Sequence, residues 1–385
     1  MKIKNKIIRA CTVPLSLGFI DGMIPEIQKR FQVGVLSSSG DQWKVLEKYG
    51  DSIYRYKIEM ERHISPFKDL KSLVKTIKLF KKEKPEVVHS MTPKAGLICM
   101  IAGKIAKVPV RIHTFTGLVF PTSTGLKKKV LMASDWLTCA CSTHIIPEGE
   151  GVKKDLLNNN ITKKDIKVLG NGSCKGIDLV YFNPDNPEIL AETKEIRSQF
   201  IDSSFVFISI GRLVGDKGIN ELVVAFNRLN KEYPNIKLIL VGPEESELDP
   251  LAPSTLNTIE ANANIITPGL QTDIRPWLAV ADCAVLASYR EGFPNVVLEA
   301  GAMGLPQIVT DINGANEIIE DGVNGLIVSP KDEEALYKAM KRIIEEKSLC
   351  EEMKSKAREI VASRYDKHFV TQKLLEFYDE IIKTL

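Results

Sequence analysis

Phe205-Val-Phe-Ile-Ser-Ile210 runs directly into Gly211-Arg-Leu-Val-Gly-Asp-Lys-Gly218, and this stretch decides the fold. The first part is apolar apart from Ser209, which suits a strand covered on both faces. A helical pattern follows through Phe226, and then Ile236–Val241 repeats the apolar run and stops at Gly242-Pro243. Strand, glycine-bearing loop, helix and second buried strand make a βαβ unit, so the sheet is parallel. Asn264–Ile266, Cys283–Leu286, Gln307–Val309 and Gly325–Val328 supply further strands, and from Glu333 the pattern is helical nearly to Leu385.

The first half repeats the scheme. Candidate strands are Lys6–Val13, Val33–Leu36, Ile53–Tyr56, Glu86–His89, Val110–Phe115 and His144–Ile146. Between them Leu70, Leu73, Val74, Ile77 and Phe80 recur at helical spacing and predict an inward face, with Lys71, Lys75, Lys78, Lys81 and Lys82 on the others. A chain of 385 residues suits two domains. Leu169–Asn186, with three glycines and Pro184, reads as the linker. The predicted division is residues 1–168, residues 169–364 and a last helix from about 365 to 385. The fold class is therefore α/β, with two Rossmann-like, doubly wound domains facing a central cleft and ligands at the carboxyl ends of the strands.

Composition narrows the function. With 44% hydrophobic and 26% charged residues the chain reads as globular rather than disordered. The net charge of +3 conceals a split: residues 1–165 carry 29 Lys and Arg against 15 Asp and Glu, while the remainder carries 23 against 34. The basic half is expected to face something anionic, although solvated helix faces give the same statistic. No stretch reaches the ~18 uncharged apolar residues of a membrane span. Arg9 interrupts the first apolar run, so it reads as a strand rather than a signal peptide. Seven cysteines, mostly in apolar runs, read as reduced thiols of a cytosolic protein, and Cys139-Ala-Cys141 lacks metal spacing. Metal ligands are therefore expected to be absent. The basic half has no interleaved aromatic-basic groove, which argues against nucleic acid.

Two motifs carry the chemistry. In Glu291-Gly-Phe-Pro-Asn-Val-Val-Leu-Glu299, Pro294 suits a first helical turn, so Asn295 and Val296 are expected to present free N–H groups to a phosphate. Glu299 lies about one turn into that helix, where it can accept from vicinal sugar hydroxyls, and Glu291 precedes it on the loop. A single glutamate in such a place reads as a solvated residue; two bracketing Gly-x-Pro at a helix start do not. In the second motif, Arg212 and Lys217 emerge at a strand end, where a bidentate guanidinium and a compact ammonium together suit a diphosphate. For either alone a surface salt bridge is the plain alternative. The Walker pattern is missing.

These elements, with Val168-Leu-Gly-Asn-Gly…Gly176-Ile-Asp…Phe182-Asn-Pro, resemble the family 4 glycosyltransferases of the GT-B fold, most strongly from Val168 to Gly325. The N-terminal half resembles the branch that builds bacterial capsule, O-antigen or glycan precursors on a polyprenyl diphosphate carrier. The resemblance implies a retaining transferase using a nucleotide-sugar, with UDP as nucleotide and a hexose or N-acetylhexosamine as sugar, and needing no cofactor or metal. It implies that Arg212 and Lys217 hold the donor diphosphate, Glu291 the sugar, Asn295 and Val296 amides the phosphates, and Glu299 the ribose. Gly269 would border the base, and Gly18, after the first strand, would belong to a glycine loop near the phosphates. Related enzymes often carry His-Gly after the strand Arg111–Phe115; here Thr116 precedes Gly117, and His113 lies earlier on the strand. His113, Thr116 and Gly117 are the acceptor-side candidates. The implied partners are a lipid-linked saccharide and, through Lys127–Lys129 and the Lys-rich helix, the anionic inner face of the cytoplasmic membrane. A nucleotide-sugar 2-epimerase or a transferase to a soluble acceptor is the competing reading, and a non-catalytic nucleic-acid-binding protein the remote one.

Overall fold

The computed structural model describes residues 5–61, 63, 65–200, 204–245 and 249–383. They form two compact units, one running up to Gly176 and regaining the tail from His368, the other Ile177–Lys367.

In the first unit six parallel strands stand in the order β3-β2-β1-β4-β5-β6: β1 Lys6–Ala10, β2 Gln32–Ser37, β3 Tyr54–Lys57, β4 Val87–Met91, β5 Val110–Phe115 and β6 His144–Pro147. Alternation along the strands serves two cores. Ile7, Val33 and Val87 pack with Leu374, Leu375 and Tyr378 of the tail helix Lys367–Ile382. Ile8, Leu36 and Val88 pack on the other face with Phe80, Ile98 and Ala102. Burial on both faces is why these strands read as continuous apolar runs, and each enclosed Leu or Ile side chain contributes about 1.5–3 kcal/mol.

The helix Pro66–Glu83 departs from expectation. Ser72, Thr76 and Phe80 face inward, with Leu73 and Ile77 half-buried, whereas Leu70 and Val74 are 59% and 43% exposed and Phe67 is 90% exposed. Small residues let the helix lie close, and their hydroxyls are satisfied within it: Thr76 Oγ1 donates to the Ser72 carbonyl at 2.8 Å and Ser72 Oγ to the Lys68 carbonyl at 2.9 Å. An apolar stripe is consequently left outside, among lysines.

The second unit has the same parallel architecture in the order β12-β11-β10-β7-β8-β9. Its strands are β7 Phe205–Ile210, β8 Ile236–Val241, β9 Ile265–Gly269, β10 Cys283–Leu286, β11 Gln307–Thr310 and β12 Gly325–Val328. β9 extends past its expected end at Ile266, with a register irregularity against β8. The order reverses between β7 and β10, which creates a crevice at their carboxyl ends. The C-terminal helical run is three helices, Glu333–Glu345, Lys347–Tyr365 and Lys367–Ile382. Asp332 caps the first by accepting from the Ala335 amide at 2.9 Å. At Asp366 the backbone leaves the helical region and pairs with Ile177, whose amide donates to the Tyr365 carbonyl at 2.8 Å.

Candidate functional site

The crevice of the second unit gathers residues from five strand ends. β7 leads into Gly211-Arg212, and the short turn Gly215–Lys217 ends at Gly218, where φ is 68°. A Cβ there would lie 2.0 Å from the Ala287 carbonyl oxygen, so only glycine lets this loop back onto the chain leaving β10. That contact sets Lys217 beside Glu291, with Nζ 2.5 Å from Oε1. Ser288 Oγ donates to the same carboxylate oxygen at 2.9 Å, and Thr310 Oγ1 fixes the Ser288 carbonyl at 2.6 Å. Lys217 and Glu291, singled out in separate motifs, are thus an ion pair across 74 residues of sequence.

Arg212 is held by residues the sequence did not single out. Its Nη1 donates to Glu245 Oε2 at 2.7 Å, and its Nη2 lies 3.9 Å from Asp216 Oδ1. Asp216 Oδ2 also accepts from Arg290 at 3.0 Å. Burial works against the Arg212 charge, but the Glu245 hydrogen bond and the charges of Glu245, Asp216 and Glu291 outweigh it and raise the pKa. Glu245 follows β8 and meets Arg212 only once β7 and β8 pair, so no local pattern announces it. An anion reaching Arg212 would compete with Glu245 for its guanidinium.

Pro294 sits at the N-cap of Asn295–Ala302, with φ −72° and ψ 108°, one step before its expected place inside the first turn. Asn295 and Val296 are therefore the first two helical residues, whose amides have no carbonyl partner within the helix. The loop ahead of them is pressed by Gly314, at φ 77°, whose Cβ would lie 2.5 Å from the Gly292 carbonyl oxygen. Glu299 is half-buried on the same helix. Gly269, at φ 75°, ends β9 with open space beside it. Among the described residues no group of three or more His, Cys, Asp or Glu could hold a metal ion.

In the first unit the expected site residues fare differently. The segment after β1 is helical, Pro14–Leu17 and then Gly18–Asp21, and Gly18 adopts φ −59° and ψ −22°. A conformation open to any residue replaces the expected glycine loop. His113 is an interior residue, 1% exposed: Nδ1 lies 2.9 Å from Ser90 Oγ, and its ring meets Phe115 edge-on at 4.5 Å. Gly96 makes room for it, since a Cβ there would lie 2.4 Å from the imidazole. Burial lowers its pKa to about 3, so the ring is neutral. The sheet is covered on both faces, so His113 on β5 is enclosed, which corrects its candidacy for the acceptor side. Thr116 and Gly117 follow β5 and are half-buried, Gly117 with φ 118°. His89 is also interior, bonded to Tyr378 Oη at 2.5 Å and Thr114 Oγ1 at 2.7 Å. All seven cysteines are free. Among the described residues no helix is long and apolar enough to cross a membrane.

Comparison with known proteins places the chain in a family. Residues 191–360 match the family model described as glycosyl transferases group 1, and residues 18–143 match glycosyl transferase 4-like. The chain is 34% identical over 384 residues, 99% of each chain, to the capsular polysaccharide biosynthesis glycosyltransferase CapM of Staphylococcus aureus. It is 31% identical over 297 residues to the UDP-Gal:alpha-D-GlcNAc-diphosphoundecaprenol alpha-1,3-galactosyltransferase of Escherichia coli, covering 75% of this chain and 74% of that one. The crystal structure of Anabaena HepE with UDP and glucose superimposes with a TM-score of 0.80 at 19% identity, over 97% of this chain and 99% of that one, a likeness of fold. The chain belongs to the family 4-like glycosyltransferases of the GT-B fold.

Proposed function

We propose that this glycosyltransferase moves a hexosyl or N-acetylhexosaminyl group from a UDP-sugar, with retention of configuration, to a saccharide carried on a polyprenyl diphosphate. The product would serve capsule, O-antigen or a related surface glycan, as the names of the Staphylococcus and Escherichia relatives suggest. One observation carries the reading: at a single switch point stand two cations, Arg212 and Lys217, a carboxylate, Glu291, and the open amides of Asn295 and Val296. That set matches the parts of a nucleotide-sugar, with diphosphate on the cations and helix start, sugar at Glu291 and ribose at Glu299.

In this reading the bond between the anomeric carbon and the β-phosphate oxygen breaks as the acceptor oxygen bonds to the same face. The acceptor proton passes to the departing phosphate oxygen, and Arg212, Lys217 and the helix start take up the developing charge. These fixed charges do the work that a divalent metal does elsewhere. Lys217 and Ser288 hold Glu291 in one orientation, so its free oxygen can accept from a sugar hydroxyl.

The first unit would carry the acceptor side, with Thr116 and Gly117 following β5, and would rest on the inner face of the cytoplasmic membrane. Supporting this, Phe67, Leu70 and Val74 are exposed on one helix beside Lys68, Lys71, Lys75 and Lys78. Leu126 and Val130 are exposed beside Lys127 and Lys129 on Gly125–Cys141. Both helices flank Pro93–Ile105. Apolar tips among lysines suit an anionic interface.

The test is transfer from a panel of radiolabelled UDP-sugars to prenyl-diphosphate-linked GlcNAc in vesicles, with EDTA present, and anomeric assignment of the product by NMR. An α-linked lipid product from an α-donor is expected. Free monosaccharide released without acceptor would instead indicate the epimerase reading.

A further inference from the structure

The stretch by which the chain enters the second unit, Ile177 to Phe182, is fastened from two sides. Arg358 donates to the Phe182 carbonyl at 2.7 Å, to the Leu179 carbonyl at 2.8 Å and to the Ala302 carbonyl, which ties the stretch to the helix that carries Glu299. From the other side comes Arg275, whose side chain is only 7% exposed. It grips Asp273 with two parallel bonds, Nε to Oδ1 at 2.9 Å and Nη2 to Oδ2 at 2.6 Å. Its Nη1 donates to the Tyr181 carbonyl at 3.2 Å and to Glu188 at 3.3 Å. Its guanidinium carbon lies 3.6 Å from the centre of the Tyr181 ring.

Enclosing a guanidinium costs solvation, so this one must act through what it holds. It fixes both Asp273, four residues beyond Gly269, and the ring and carbonyl of Tyr181. Tyr181 nevertheless remains 42% exposed, with one edge against Phe182 at 5.1 Å and 80°. Burial first, then the negative charge of Asp273, with Glu188 and Glu299 adding to it, raises its phenol pKa, so the hydroxyl lies within the field of Glu299. An aromatic side chain backed by arginine and partly open, between the β9 loop and the Glu299 helix, has the form of a stacking platform.

We infer that Tyr181 is a wall of the nucleoside subsite, its ring stacking on the base, with Arg275 and Asp273 as the residues that position it. The inference rests on the donor-site reading above, and it names a residue to which the sequence motifs give no role.

Calorimetry on the full chain separates the two ideas by using UDP, uridine and inorganic pyrophosphate as probes. Tyr181→Ala should weaken UDP and uridine by about 10- to 100-fold and leave pyrophosphate unchanged, since base–aromatic stacking is lost and the diphosphate contacts are kept. Tyr181→Phe keeps the ring and should stay within about threefold of wild type on the same scale. Arg275→Lys, which keeps charge but loses the fork, should weaken uridine and not pyrophosphate. Equal UDP affinity in Tyr181→Ala and wild type overturns the inference, as does a parallel loss of pyrophosphate, which would make the residue structural. Failure of the folded wild type to bind UDP or pyrophosphate overturns the donor-site reading itself.

Discussion

Gly218→Ala probes how closely the loop carrying Lys217 is set. Two terms act at that position. Alanine held at φ 68° costs about 1–2 kcal/mol in the left-handed region. Its Cβ would also stand 2.0 Å from the Ala287 carbonyl oxygen, against the 3.0 Å below which real contacts are not found. Because the obstacle is backbone, no rotamer change relieves it, and one of the two loops must move by about 1 Å. Lys217 and the Ser288–Glu291 segment ride on those two loops. A misplacement of this size at a reacting centre costs on the order of 10²-fold in rate. Gly304→Ala is the control: φ is 78° with nothing within 4 Å, so only the backbone term applies. It should lower Tm by roughly 2–8 °C and leave kcat/KM near wild type. Gly218→Ala should lose about 10²-fold or more in kcat/KM, with circular dichroism retained. Wild-type kcat/KM in Gly218→Ala, with a Tm drop no larger than the control's, would refute the reasoning.

Lys217→Ala and Arg212→Ala should each lower kcat by about 10²- to 10³-fold, the usual cost of removing one charge-stabilising donor. Near-wild-type turnover in both, measured by product formation at saturating donor, removes the electrostatic role. Asp135 gives a pH test. Burial raises its pKa from 3.8 to about 7 in the folded chain, so between those values only the unfolded chain releases the proton and stability falls as pH rises. Asp135→Asn should raise Tm at pH 8 and leave it unchanged at pH 3; an equal effect at both, by calorimetry, contradicts the assignment. Replacing Phe67 and Leu70 together by Asp should cut co-sedimentation with anionic vesicles severalfold while leaving UDP binding intact. Unchanged sedimentation argues against a membrane role for that stripe.

Much of the fold was legible because parallel strands buried on both faces leave short apolar runs bounded by glycine, as at Phe205–Ile210 and Cys283–Leu286. The helix Pro66–Glu83 was legible from its periodicity, which brings Phe80 into the core with Leu73 and Ile77 against it, but a stripe does not say how far round it is covered. Small Ser72 and Thr76 proved to be the packing face, leaving Leu70 and Val74 outside. The break at Asp366 falls where the last helix was expected to begin, at about 365, and there the backbone pairs with Ile177. At the site, Arg212 and Lys217 were readable as cations after a buried strand, and Glu291 and Glu299 as carboxylates bracketing a helix start. Glu245, Asp216 and the Tyr181–Arg275 pair were not, because each acquires its meaning from a distant partner; Tyr181 and Arg275 lie 94 residues apart. His113, an acceptor-side candidate by its place before Gly117 but more simply a core histidine by its place on the strand, is enclosed.

Binding of UDP and GDP in EDTA, by calorimetry on wild type and on Glu299→Ala, tests the central claim most directly. Metal-independent micromolar UDP binding, weaker GDP binding, and loss of UDP binding in the variant are expected. Well-folded wild type that binds neither nucleotide, or a variant that binds UDP as tightly as wild type, would contradict it.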